Sequence, residues 1–134
     1  MPHSNYTYIT HMSNEHSSWM RGIAFYRDEI KILLERLNEL TTDKTCKAGA
    51  DQIEQYHNQI LNYQNTMAEL EQDIQANFKL IESDLEKREL HVSNSAMAQA
   101  DSLRNRYIEV EKSFNEFRHA FNRFLCDNME VVLK

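Results

Sequence analysis

Glu-x-x-His occurs twice in this chain, as Glu54-Gln-Tyr-His57 and as Glu116-Phe-Arg-His119, and it is the one repeated polar motif. On a helix, residues i and i+3 project together, so such a pair can hold one metal ion between a carboxylate and an imidazole. Bundles that bind two metals carry the motif on two helices and a bare Glu on each of two others. The neighbouring residues argue against that use here. Phe114, Phe117 and Phe121 form the apolar stripe of their helix, which turns Glu116 and His119 outward. Three long helical segments are evident where such a site needs four. The repetition reads as chance in a chain rich in Glu.

His16 and His57 are the other candidates, because each interrupts an otherwise apolar stripe. His16, with Glu15 and Trp19, has the makings of a small-ligand or metal pocket at the start of the first helix. His57, with Glu54, is the alternative metal ligand. The structural reading of both is a seam histidine that bonds a neighbour and fixes register, as polar seam residues do. Gln64 and Glu71 interrupt the same stripe as His57, and Glu71 is expected to pair with Arg21 or Arg118, since a buried carboxylate without a partner is costly. Cys126 is expected level with His57, the nearest approach to a dyad, but no third group orients it. Gly22 reads as a tolerated surface glycine; its other reading is room for a ligand or a tightly packed ring beside Trp19. No Ser-His-Asp arrangement and no Gly-rich phosphate loop is present. No cofactor is expected, and the chain reads as non-enzymatic.

The elements that must position these residues are helices. In 134 residues Gly appears twice and Pro once, too few for the turns of a β-rich or α/β fold. Trp19, Ile23, Tyr26, Ile30, Leu33, Leu37 and Leu40 alternate by four and three, which is a heptad seam. A second stripe runs Ile53, His57, Ile60, Gln64, Met67, Glu71, Ile74, Phe78, Ile81 and Leu85. An offset one runs Tyr56, Ile60, Tyr63, Met67, Leu70 and Ile74, so this helix has a wide apolar face. The third runs from Ala96 through Leu103, Tyr107 and Val110 to Phe124. The spacing predicts helices over about 15–42, 50–91 and 95–131, with 1–13 a polar tail and the whole of 1–134 a single helical domain. Ser93 and Asn94 are the expected caps of the third helix.

Short connections make sequential helices antiparallel. The expected fold is all-α, an elongated antiparallel three-helix bundle whose fourth side is completed by the tail or a second subunit. Leu37 is expected near Ile53, His16 near Ala76, and Ile74 near Phe114. The first helix looks shorter than the hairpin, so the hairpin tip needs a cover: the tail, a second copy, or another protein. Self-association is the preferred answer.

Charge narrows the partners. Residues 1–50 and 92–134 each carry six basic and six acidic groups, whereas 51–91 carry three basic and nine acidic. Nucleic-acid affinity rests on Lys and Arg neutralising phosphate, so no nucleic-acid partner is expected. The start of the chain lacks the basic and apolar regions of a signal peptide, and no apolar run is long enough to cross a bilayer. Two cysteines, Cys46 and Cys126, make no disulfide framework and favour the cytoplasm. The expected role is a helical scaffold or protein–protein interaction module, acting as a homodimer or with another helical protein. The second reading is a metal- or small-ligand-binding bundle using His16, Glu15 or His57.

Overall fold

The computed structural model describes residues 2–44, 46–86 and 92–128, with side chains from Tyr8 onward. It consists of α1 (Pro2–Thr42), α2 (Ala50–Asp84) and α3 (Asn94–Asn128). They pack as an elongated three-helix bundle, and among the described residues there is no strand. None of the helices is long and apolar enough to cross a membrane.

α1 is the longest element, with 41 residues, about 60 Å at 1.5 Å per residue. The expected polar tail over 1–13 is therefore a correction: from Pro2 the segment is helical. Tyr8, Met12, His16 and Trp19 continue the four-and-three rhythm backwards, and Met12 is fully buried. Tyr8 and Ile9 pack against Ile81, Val92 and Ala96 at the hairpin tip. Tyr8 and Ile9 thus cover part of the described end of the hairpin.

The α1–α2 connection is short. The Thr41 and Thr42 hydroxyls donate to the carbonyls of Asn38 and Glu39, satisfying groups that a helix end leaves open. α3 starts where Ser93 Oγ accepts the Ala96 N–H at 3.1 Å, as expected of a cap. Asp84 Oδ2 accepts the Ser93 N–H at 2.9 Å, which ties the end of α2 to the start of α3. The expected α2 residues 87–90 and α3 residues 129–131 lie outside the described residues.

All seven seam residues of α1 from Trp19 to Leu40 are buried, as are Phe114, Phe117, Phe121 and Phe124 of α3. On α2 the offset stripe is the true seam. Ile60, Met67, Leu70, Ile74, Asn77 and Ile81 are buried, while His57, Gln64 and Phe78 of the other stripe are exposed. The breadth of α2 is used by α3: Tyr56 stacks on Phe124 at 4.3 Å, and Tyr63 meets Phe114 at 5.3 Å. That last contact corrects the expected pairing of Ile74 with Phe114. α3 therefore sits along α2 more than a turn away from the expected register. The α1–α2 register follows the expectation, with His16 beside Asn77.

α1 and α3 run parallel, as Glu15–Arg104 and Glu29–Arg118 show: each pair is 89 positions apart. At Gly22 the Tyr107 side chain of α3 packs directly onto the α1 backbone. A Cβ there would overlap Tyr107 Oη outright and stand 3.0 Å from Cζ. The surface-glycine reading is therefore replaced by the tightly packed ring beside Trp19, whose centroid is 6.2 Å from that of Tyr107.

Candidate functional site

His16 is 3% exposed and Asn77 1%. Nε2 of His16 lies 2.9 Å from Asn77 Oδ1, and Asn77 Nδ2 donates to the Ala96 carbonyl at 3.0 Å. A backbone carbonyl only accepts, so it fixes which end of the Asn77 amide faces α3. Oδ1 is left for His16, and Nε2 must carry the proton. The chain of bonds joins α1, α2 and α3 in one buried layer. Nδ1 of the same ring is buried and has no hydrogen-bond partner among the described residues. In the neutral ring it is an acceptor with nothing to accept. Trp19 and Phe78 stand edge-on to the imidazole, with centroids at 5.2 and 6.0 Å.

His16 also lines an open groove of about 570 Å³ between α1 and α2, with Met20, Ile74 and Phe78 as apolar walls and Ser17, Gln75, Lys79 and Glu82 around them. Glu15 does not join it. It faces α3, where Arg104 Nε and Nη2 donate to its two oxygens at 2.7 and 2.6 Å. Those bonds hold the Glu15 carboxyl below its ordinary range and raise the Arg104 guanidinium further above its own. The His16–Glu15 pocket drawn from adjacency in sequence does not form, because neighbouring helical residues point about 100° apart.

His57 and Glu54 lie elsewhere. Both are exposed, and they line an open groove of about 560 Å³ at the α1–α2 connection with Leu37, Asp43 and Cys46. His57 is twenty residues before Asn77 on α2, so it sits about 30 Å from the level of His16. Cys126 lines a different groove, between α1 and α3 with Ile32 and Arg36, and the α2–α3 register set by Tyr56 and Tyr63 puts it well past the level of His57, so the expected dyad does not form. Glu116 and His119 are exposed. Among the described residues no three His, Cys, Asp or Glu side chains are grouped to hold a metal ion. Glu71 pairs with Arg27 rather than with Arg21 or Arg118, because α1 presents Arg27 to α2 and Arg118 is taken by Glu29 at 3.3 Å.

A second polar layer was not foreseen from the sequence. Tyr26 and Tyr107 both donate to Glu111 Oε2, at 2.7 and 3.1 Å. Burial, then the Glu111 carboxylate, pushes the Tyr107 phenol well above its ordinary value, and burial with the same bond raises Tyr26. Gly22 was the available signal, since a helix-interior glycine marks close approach of a neighbour.

The remaining feature is an apolar surface. Phe25 is 52% exposed, Ile32 41% and Ile108 55%. Phe25 lies three residues after Gly22 and four before Glu29, both of which face α3. Ile108 lies between Arg104 and Glu111, both of which face α1. All three therefore flank the α1–α3 seam on the side away from α2. Compared with known proteins, the chain matches no family model, no curated protein and no solved structure, so a reading of its function rests on these residues alone.

Proposed function

We propose that the chain is a non-enzymatic helical interaction module that pairs with a second copy of itself through the α1–α3 face. The observation that carries this reading is the alignment of Phe25, Ile32 and Ile108 along one seam, with much of each side chain in solvent. Apolar residues concentrated on one face of a packed bundle favour a protein partner. Charge selects the occupant. The negative excess lies in 51–91, all of it on α2, whereas the segments carrying α1 and α3 are each balanced at six and six. Two copies can approach through α1 and α3 without net repulsion, and would repel through α2. The reading includes a cytoplasmic setting, which the unpaired cysteines Cys46 and Cys126 suit.

Sedimentation equilibrium over a range of concentrations tests it, with Ile108→Lys as the variant because the side chain is exposed and the fold does not depend on it. The expected result is a reversible dimer that Ile108→Lys makes monomeric. A monomer at every concentration removes the second copy as partner. A dimer indifferent to Ile108→Lys removes this face.

A further inference from the structure

The groove over His16 lies on the opposite side of α1 from the α1–α3 face, and what it can bind is independent of whether the chain self-associates. Three observations meet there. The His16 ring is locked by Asn77 with Nε2 as donor, so its buried Nδ1 is an acceptor lacking a partner among the described residues. Phe78 stands edge-on to that ring and is 39% exposed, although it is a large apolar side chain. The space beside them, about 570 Å³, is the size of a small-molecule site and has apolar walls at Met20 and Ile74.

We propose that this groove binds a small planar aromatic molecule carrying one hydroxyl or N–H group, with its ring between Met20 and Phe78 and its donor on Nδ1 of His16. The chemistry of the walls dictates the class. A flat apolar body covers Phe78 and Met20, and a single donor completes the imidazole. An anion is disfavoured, because an Nδ1 lone pair repels it and the charge of Lys79 on the rim is offset by Glu82 one turn away on α2. Nδ1 is closed to solvent, so binding requires a side chain to move aside, and in this proposal that is the partly exposed Phe78 ring beside it.

Phenol and toluene are the probes, since they share a ring and differ in the donor. Each is titrated into nitrogen-15-labelled protein while the His16 ring nitrogens are followed by long-range nitrogen–proton correlation. Phenol is expected to shift Nδ1 and to bind about five-fold more tightly than toluene, the ratio one neutral hydrogen bond supplies. Gln75→Trp, which fills the groove from its solvent side without touching the core, is expected to abolish both titrations. Equal affinity for the two probes overturns the proposal. So does phenol binding that leaves the Nδ1 resonance unmoved, or that survives Gln75→Trp.

Discussion

Gly22 lies in the interior of α1, where glycine costs roughly 1 kcal/mol relative to alanine. On an exposed helix face Gly→Ala would therefore stabilise the protein by about that much. Here the added Cβ meets the Tyr107 hydroxyl at a separation no two atoms tolerate, and Cζ at 3.0 Å. Tyr107 cannot simply step aside. Its ring lies against Trp19 and its hydroxyl is bonded to Glu111 at 3.1 Å. Accommodating the methyl means overpacking, at about 1–3 kcal/mol, and losing a hydrogen bond to a carboxylate, at about 1.5–3 kcal/mol. Small shifts of α1 against α3 favour the low end of both ranges. After subtracting the helix-propensity gain, Gly22→Ala is expected to destabilise by about 1.5 kcal/mol. Urea unfolding followed by circular dichroism measures this as a lower midpoint with an unchanged slope. The mechanism has its own control. Tyr107→Phe removes the overlapping oxygen, so Gly22→Ala added to Tyr107→Phe should cost less than half of what it costs alone. A stabilising Gly22→Ala, or one equally costly in both backgrounds, would refute the reasoning.

Two further perturbations probe the other polar layers. Asn77→Ala leaves the His16 ring without a partner at either nitrogen and opens space in a fully buried layer; the expected loss is about 3 kcal/mol by the same unfolding assay, and a loss below about 1 kcal/mol would show that the layer does not hold the helices together. Glu15 is held below its ordinary carboxyl value of 4.5 by its bonds to Arg104, so the pair stabilises the fold above that value, and the contribution is lost as pH falls through the lowered one. The stability difference between the native chain and Glu15→Gln should therefore be present at neutral pH and vanish on acidification, and a difference independent of pH would count against the pair.

Which parts of this arrangement could be read from the sequence depends on the range of the interactions that set them. The α1 seam and the phenylalanine stripe of α3 follow from local periodicity, and both are buried as that periodicity requires. The α1–α2 register was legible because Thr41, Thr42 and Gly49 confine the reversal to a few residues. The α2–α3 register was not, because it is expressed in contacts that local periodicity does not flag, such as Asp84 bonding Ser93 and Tyr63 meeting Phe114. The start of α1 failed for a related reason. Ser13 and Asn14 look like caps, yet both are exposed residues inside a longer helix. What extends that helix is a cluster at the tip to which Tyr8 and Ile9 add themselves, next to the small side chain of Ala96.

The candidate sites divide along the same line. Glu-x-x-His spacing says that two groups can meet on one helix, but the α2 seam turned out to run through Ile60, Met67 and Asn77, which leaves His57 and Glu54 in solvent. His16 kept its place on the seam and acquired a partner that no periodicity flags, since Asn77 is an asparagine among apolar neighbours sixty-one positions away. A single asparagine decides both the tautomer of that histidine and which of its nitrogens is left over. Because Asn77 must donate to α3, the free acceptor belongs to α1, beside the groove walled by Met20 and Phe78. The bond that stabilises the bundle is thus the one that leaves the His16 ring with hydrogen-bonding capacity to spare.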